Sequence, residues 1–498
     1  MTVTIARDID KMDQEECTEQ QMEHSQNLEN VDKILEPKEE NETEQDEIDS
    51  NNKMSQGEEE EEEDKDKEQR MEGIDISDST NRVLESQEIN ETERRIIKGD
   101  TIGETLYSAK WILKTLISLT NVYENGWNES MEKDLCILWD MSQEKDIVKY
   151  LLENDFFKMA EFTLKISEET RLTEIVVGII GNMCCETEAL ESLVNTNELA
   201  TLVLSLISSD DPETVIQVLR VFQAALWDVQ KNPDSPWLNK IKECATVGEA
   251  ITFILKNSLV DDLMIPTIDI IYLISEMELP NDNYLLGVIF NVDQLIPALS
   301  ESMIKIIDQE NNPHTNSQLK NIENWYSIIF NTIKKELLKL SDDENNEDYQ
   351  NMNTVLLKIL KPYTMLSNLM LSDDRGLLCI QQCIRMVYFF QKNELIPNLG
   401  LIQTIIKIML NLKSAASTEH EFEDSDHEYF KELHAYSTNY WVEVLKIFNK
   451  DQIVKVLERF DDRDLDAIIE LTKTLSKISK ESMGGFFQAC IEVKAYRT

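Results

Sequence analysis

Apolar residues recur at three- and four-residue spacing over almost the whole chain from about residue 102 onward. Three clear examples run through residues 147–156, 215–226 and 402–409. Glycine and proline, the residues that form tight turns, number only 13 and 10 among 498 residues. No stretch with the two-residue alternation of a strand stands out. The sequence therefore predicts an all-α fold.

Cap residues mark where several of these helices begin. Asp211 before Pro212 is the combination of an acidic N-cap with a proline in the first helical turn. The run 372–374 (Ser-Asp-Asp) precedes another apolar periodic segment. Asp140 and Ser142 are two candidate caps for the helix that follows them. These signals predict helix starts near each of the three places.

The helices recur with a period that favours stacked repeats. Residues 174–183 are apolar nearly all round, as expected of an inner helix, and a similar pattern follows about 41 residues later with Gln223 where Asn182 stood. Further candidate inner helices are 267–274, 324–333 and 363–370. Armadillo and HEAT repeats have a period near 40–47 residues. The sequence thus predicts an armadillo/HEAT-like helical solenoid, with an irregular helical bundle as the alternative.

The first part of the chain has a different composition. Residues 1–90 hold 9 Lys and Arg against 31 Asp and Glu, a net charge of −22, and few apolar residues. Such a segment cannot bury enough surface to offset its conformational entropy. We expect a disordered acidic tail over 1–95 and a helical repeat domain over 96–498. Acidic loops are expected near 341–351 and 418–428.

The net charge of −48 restricts the classes of partner. Binding to nucleic acid at its phosphates requires clustered Lys and Arg, and this chain repels phosphates and anionic membranes on average. We therefore expect protein partners, with basic proteins favoured, and neither nucleic acid nor membrane.

Nothing at the start of the sequence predicts secretion. Residues 1–16 are polar and acidic, without the apolar core of a signal peptide. The longest apolar stretch, 175–185, is too short to span a bilayer and contains Asn182. The eight cysteines show no disulfide-framework spacing, which is typical of a reducing compartment. We expect a nuclear or cytoplasmic protein that is not secreted.

Three local motifs go beyond helical patterning: 99–108 (GDTIGETLYS) with Trp111 just after it, 139–142 (WDMS) and 177–183 (VGIIGNM). In this order they resemble the serum amyloid A-like 1 protein family, most clearly over residues 99–222. The resemblance implies an armadillo-like fold and a nuclear protein associated with cell proliferation, without known catalytic activity. The long acidic extension departs from the shorter N-terminus of that family.

The first motif has two interpretations. Gly99 and Gly103 can release the chain from helical geometry, and Thr105 can cap the helix that carries Trp111. The motif would then cover the core of the first repeat, or it would form a loop that binds a partner. It is no phosphate loop, because no Lys followed by Ser or Thr comes after Gly103.

Asn182 also has two interpretations. Gly178 and Gly181 permit a close approach between helices, and an Asn on an apolar helix needs a hydrogen-bond partner. In armadillo proteins that carry peptide cargo, an inner-helix Asn binds the peptide backbone and a Trp stands four residues earlier, where this chain has Gly178. Asn182 is therefore either structural or part of a recognition surface. The candidate partner-binding residues are Asn182, Gln223, Trp139 and Trp111.

Metal-binding and catalytic motifs are weak. Cys379 and Cys383, like the pair 184–185, are expected to be buried core residues, since no matching pair of ligands lies nearby. The three histidines of the C-terminal part (His420, His427 and His434) are spaced by seven, but an acidic loop interrupts any common helical face. We expect no metal, no cofactor and no enzymatic activity.

Two functional hypotheses follow from these observations. The first is a scaffold whose helical surface holds other proteins. The alternative is an acidic, chaperone-like binder of basic proteins such as histones, acting through the tail. Salt separates them, because binding by the tail should fade with ionic strength and apolar anchors in a groove should not.

Overall fold

A computed structural model of the protein describes residues 100–497, apart from short gaps at 197, 280–282, 308–311, 339–346, 394, 396–397, 416–423 and 476–477. The predicted acidic tail, residues 1–95, lies outside the described part. Within it, helices dominate and the prediction of an all-α fold is confirmed. None of the described helices has both the length and the apolar character needed to cross a membrane.

The N-terminal half contains α1 (Ala109–Thr120), α2 (Val122–Asn125), α3 (Glu129–Met141), α4 (Lys145–Glu153), α5 (Phe156–Ile166), α6 (Thr170–Met183), α7 (Thr187–Asn195), α8 (Leu199–Ser205), α9 (Pro212–Lys231), α10 (Pro236–Glu243), α11 (Val247–Asn257) and α12 (Asp261–Glu276). A 3₁₀ turn, Leu206–Ser208, extends α8. After α12, the strands β1 (Glu278–Leu279) and β2 (Asn283–Tyr284) form a small antiparallel hairpin.

The C-terminal half contains α13 (Leu285–Ile289), α14 (Val292–Ile306), α15 (Asn316–Lys334), α16 (Glu347–Leu360), α17 (Leu366–Met370), α18 (Asp374–Lys392), α19 (Leu399–Ala415), α20 (Asp424–Ile447), α21 (Lys450–Leu457), α22 (Asp462–Lys473) and α23 (Lys480–Arg497). A 3₁₀ turn, Lys361–Thr364, precedes α17. α16 and α20 begin inside the ranges predicted as acidic loops. Both loops therefore end earlier in the sequence than expected.

The long helices stack in two rows. Row A consists of α3, α6, α9, α12, α15, α18 and α20, each packed on the next. Row B consists of α1, α5, α8 with its 3₁₀ turn, α11, α14, α16 and α19. Short helices such as α4, α7, α10 and α13 lead into each pair, so that α4–α6, α7–α9, α10–α12 and α13–α15 are successive three-helix repeats. The predicted helical solenoid is confirmed.

One apolar core joins all the repeats. It extends from Ile102 beside the N-terminal turn to Val493 in the last helix. An inner helix contributes residues on nearly every side: from residue 174 to 183 each residue of α6 is buried. Because each repeat has helices of its neighbours on both sides, no single repeat could bury this surface alone.

The predicted inner helices are mostly those of row A. The segments 174–183, 215–226, 267–274 and 324–333 fall within α6, α9, α12 and α15. The prediction for 363–370 is wrong, because that segment forms a 3₁₀ turn and the short α17, and the row-A helix of this repeat is α18. Tyr363 and Leu369 of this segment are nonetheless buried in the apolar core.

The predicted caps are confirmed at two of three places. Asp211 accepts a hydrogen bond from the Thr214 amide (3.0 Å) and Asp373 accepts one from the Gly376 amide (2.9 Å). The third prediction is wrong, because α4 starts after Glu144 and Ser142 is buried between helices. Ser142 serves a contact across row A instead, which is described below.

Lysine side chains of one helix donate hydrogen bonds to the carbonyl groups at the C-terminal end of the helix stacked before it. Lys305 on α14 donates to the carbonyls of Lys256 and Ser258 at the end of α11 (2.8 and 3.1 Å). Lys358 on α16 donates to the Ile304 carbonyl of α14 (2.7 Å). The last carbonyls of a helix carry partial negative charge, so an ammonium group there is favourable. The repeats are thus linked by polar contacts as well as by the core.

Candidate partner-binding surface

The N-terminal motif forms a tight turn fixed to the first repeat. Gly103 has a positive φ of 53°, and the Glu104 amide donates to the Asp146 carboxylate of α4 (2.9 Å). A Cβ atom on Gly103 would lie only 2.0 Å from an oxygen of that carboxylate. Ile102 in the same turn is buried against the core. These contacts favour the interpretation that the motif covers the first repeat.

The cap of α1 differs from the expectation. Ser108 is the N-cap, since its hydroxyl accepts a hydrogen bond from the Trp111 amide (3.2 Å). The prediction that Thr105 caps this helix is wrong, because its hydroxyl donates to the Ile102 carbonyl inside the turn (2.7 Å). Trp111 is half-buried on α1, in row B.

The Trp139 ring of α3 packs directly against Gly178 of α6. A Cβ atom on Gly178 would lie 2.2 Å from ring atom Cε2 of Trp139. Only a glycine therefore leaves room for the half-buried indole ring against the α6 backbone. Gly181 is different, because a Cβ atom there would meet its nearest neighbours at 3.8 Å, an ordinary contact. Both glycines were expected to permit a close approach between helices. Of the two, only Gly178 stands where the packing leaves no room for a side chain.

Asn182 joins three helices of row A. Its amide nitrogen donates to the Trp139 carbonyl (2.8 Å) and to the Ser142 hydroxyl (3.0 Å), both at the end of α3. Its oxygen accepts a hydrogen bond from the Arg220 guanidinium of α9 (2.6 Å). The side chain is 5% exposed. Both ends of the amide are thus engaged within the chain, which favours the structural interpretation of Asn182.

Further polar contacts link α3 to α6 and hold Arg220 in place. Arg171 of α6 donates to Glu132 of α3 (2.9 Å) and to Glu174 (2.7 Å). These hydrogen bonds, the one to Glu174 above all, raise the already high pKa of the Arg171 guanidinium. Arg220 also donates to the Gln217 carboxamide (2.7 Å).

The same kind of contact continues through the later repeats. Asp269 of α12 accepts hydrogen bonds from Lys320 (2.9 Å) and Asn324 (2.7 Å) of α15. Glu323 of α15 binds the Arg375 guanidinium of α18 through both oxygens (2.7 and 2.6 Å). A pair in this geometry fixes the guanidinium against the carboxylate more firmly than a single contact would. Several row-A cations are therefore already engaged with groups of the chain itself.

The outward side of α9 carries side chains that remain accessible. Arg220, Gln223 and Trp227 follow one another at three- and four-residue spacing, which places them along one side of the helix. Gln223 is half-buried, and Trp227 is 49% exposed. Trp227 was missed from the sequence. The available signal was its position four residues after Gln223, a residue that was singled out.

Aromatic residues recur at one position of the row-A helices. Trp227, Tyr272, Phe330 and Tyr388 each stand four residues before the last residue of α9, α12, α15 and α18. Trp227 is exposed and the other three are half-buried. Each of these four successive helices thus carries an aromatic residue near its C-terminal end.

The four candidate residues are therefore in different situations. Asn182 and Trp139 are in direct contact and hold the helices together, whereas Gln223 lies on the accessible side of α9. Trp111 lies in row B, on the helix α1. Partner binding by these residues stays a prediction, with Gln223 and the neighbouring Trp227 as the accessible pair.

Cysteines and histidines form no second site in the part of the chain that the structure covers. Cys379, Cys383 and Cys184 are buried as predicted, but Cys185 is exposed, so that expectation is wrong. His434 is half-buried on α20, and burial lowers the pKa of its imidazole. His420 and the side chain of His427 lie outside the described residues. No group of three or more His, Cys, Asp or Glu residues within the described ranges has the geometry to hold a metal ion.

Comparison with known proteins gives relatives over part of the chain. Protein saal1 of Danio rerio is 33% identical over 181 residues, which are 34% of this chain and 38% of that protein. Protein SAAL1 of Homo sapiens is 31% identical over 181 residues, again 34% and 38%. Protein SAAL1 of Mus musculus is 30% identical over 193 residues, 35% and 40%. The chain therefore matches about two fifths of the length of these curated relatives.

Other comparisons add less. No protein-family model matches the chain. Two crystal structures of engineered proteins align with 76% and 65% of it, at 12% and 10% identity and TM-scores of 0.24 and 0.22, and they carry no conclusion about function. The expected resemblance to serum amyloid A-like 1 proteins is confirmed over about a third of the chain.

The two glycines of α6 provide a matched test of this packing. Gly178→Ala should lower the free energy of unfolding by about 1–3 kcal/mol, because the new methyl group must displace the Trp139 ring. Gly181→Ala has room for its methyl group and should leave stability unchanged or raise it by about 0.5–1 kcal/mol. Denaturant unfolding of both variants gives the comparison. An equal effect at the two positions would show that the indole does not pack on Gly178.

Proposed function

We propose that this protein is a non-enzymatic scaffold that binds other proteins through the outward side of row A. The observation that carries the proposal is the exposure of Trp227, a large aromatic side chain next to Gln223 on a helix whose register is fixed by Arg220 and Asn182. Tryptophan is among the residues that most often dominate the energy of protein interfaces.

The rigidity of α9 supports this proposal. A surface that is already ordered loses less conformational entropy when a partner binds. Arg220 is held by Asn182 on α6 and by Gln217 on its own helix, and the Asp228 carboxylate near Trp227 accepts a hydrogen bond from Ser235 (2.5 Å). Trp227 thus projects from a helix that is fixed on both sides of it.

The resemblance to serum amyloid A-like 1 proteins supports the choice of a scaffold over an enzyme. It also supports a nuclear location and a link with cell proliferation, both of which we include in the proposal. These properties are what the family resemblance implies, and the sequence match to proteins of that name covers about a third of this chain. We further propose that the protein binds neither nucleic acid nor membranes, on the basis of its net charge of −48.

Substitution of Trp227 tests the scaffold proposal. Trp227→Ala should reduce the recovery of bound proteins from nuclear extract by about tenfold, because truncation of a central aromatic residue commonly costs 1–2 kcal/mol or more. Quantitative mass spectrometry of affinity-purified material gives the measurement. Phe253→Ala is the matched control, since this exposed aromatic residue (67%) lies on α11 in row B.

The outcome is interpretable only for folded variants, so the thermal midpoint of each is measured in parallel. Loss of the same proteins in the Trp227 and Phe253 variants would contradict a site on row A. Full recovery with Trp227→Ala would contradict it as well.

A second function is favoured by the charge of residues 1–90, a net of −22. We propose as the alternative that the tail binds basic proteins such as histones without a fixed geometry. Attraction of this kind is screened over about 8 Å at physiological salt. It would need no contribution from Trp227, which separates it from the first proposal.

The alternative is tested by titration of a labelled histone against the full chain and against a variant that lacks residues 1–90. The affinity should fall on removal of the tail and fall again between 0.1 and 0.5 M salt, because the screening length is about twofold shorter at the higher salt. Equal affinity of the two proteins, or binding that salt does not weaken, would exclude the tail as the binding element.

A further inference from the structure

Aromatic rings in the later repeats are already matched with cations of the chain. The Arg385 guanidinium lies 5.8 Å from the centre of the Phe330 ring, and the Lys392 ammonium lies 4.7 Å from that of Tyr388. Lys335 lies 4.6 Å from the centre of the Tyr284 ring. A cation within about 6 Å of a ring centre is attracted by the negative face of the ring. Two row-A helices, α15 and α18, thus combine an aromatic ring near the C-terminal end with a positive charge, and Tyr284 of β2 makes a third such pair.

Trp227 has the same position in its helix but a different environment. Among the described residues no cation is seated on its ring, although Lys231 stands at the spacing that Lys392 has from Tyr388. The Trp227 side chain is 49% exposed, and an indole ring attracts cations more strongly than a phenyl or phenol ring does. The strongest cation-binding ring of this set thus faces solvent.

Acidic side chains lie near Tyr272, at the C-terminal end of the neighbouring helix α12. Packed helices lie about 8–10 Å apart, so rings at the same register on α9 and α12 can contact one extended segment. Burial is the main cause that raises the pKa of the Tyr272 hydroxyl, and the carboxylates of Glu276 and Glu323 raise it further. Glu323 is paired with Arg375. Glu276 is exposed, and its carboxylate accepts a hydrogen bond from the neutral Asn331. Its cationic neighbour, Lys335, donates to the Ser275 carbonyl (2.6 Å).

We propose that Trp227, Tyr272 and Glu276 form a docking site for an arginine- or lysine-rich segment of a partner protein. A cationic side chain lies over the Trp227 ring, and the Glu276 carboxylate attracts a second one. The net charge of −48 supplies long-range attraction for such a segment. This inference rests on the proposed scaffold function and specifies the chemistry of its partner.

The site can be observed directly by fluorine NMR. The seven tryptophans of the full chain are labelled with 5-fluorotryptophan, and the line of Trp227 is assigned from its loss in Trp227→Phe. The probe is an octa-arginine peptide. Its neutral control is the octa-citrulline peptide, which has nearly the same shape without the charge. Binding of the probe elsewhere, for example to the acidic N-terminal residues, does not by itself move the Trp227 line.

The expected result is a saturable shift of the Trp227 line with octa-arginine and none with octa-citrulline, while the line of the buried Trp325 stays in place. Glu276→Gln should weaken the affinity read from this shift by about two- to fivefold, as for a single exposed charge pair. Glu278→Gln, two residues further on the same chain, should weaken it less.

Three results would overturn the inference: an unmoved Trp227 line at saturating octa-arginine, an equal shift with octa-citrulline, or an affinity that Glu276→Gln leaves unchanged. In that case the scaffold proposal still stands if Trp227→Ala loses its proteins from nuclear extract. If the Trp227 line responds as expected but no protein is lost in that experiment, the scaffold proposal fails and the cation site remains.

Discussion

The side-chain amide of Asn182 determines how the first three row-A helices fit together. A buried amide without partners costs free energy, so its two hydrogen bonds to the end of α3 and its one from Arg220 must form together. They fix the register of α6 against both neighbours. The contact between Trp139 and Gly178 depends on that register, because the ring and the glycine must meet at one level.

This use of Asn182 separates stability from recognition. The amide is no longer available to a peptide backbone, and the place beside it is filled by the chain's own Trp139 rather than by a ligand. The accessible groups lie further along the rows, on the outward side of α9 and α12. Recognition in this protein is therefore proposed at Trp227, on a helix that the Asn182 contact holds in position.

Periodicity predicted the helices well and the contacts between them poorly. The patterns of α6 and α9 are local, and Asp211 marked the start of α9 correctly because a cap needs only its own turn. Arg220 lies 38 residues from Asn182, and no local signal could pair them. The position of Trp227 four residues after Gln223 was a local signal, but its exposure was not evident, since a tryptophan on an amphipathic helix is usually assigned to the core. The starts of successive row-A helices lie 42 residues apart for α6 and α9 and 58 apart for α15 and α18. This growing distance explains why the repeat period is hard to recognise in the later part of the sequence.

The most direct test of this account is a double-mutant cycle of Asn182→Ala and Arg220→Ala, measured by denaturant unfolding and by recovery of bound proteins. Asn182→Ala should lower the free energy of unfolding by about 2–3 kcal/mol, and the two substitutions should be coupled by about 1–2 kcal/mol. Under conditions where Asn182→Ala remains folded, its protein recovery should fall far less than that of Trp227→Ala. Unchanged stability together with lost recovery in Asn182→Ala would contradict the account and place Asn182 in the recognition surface.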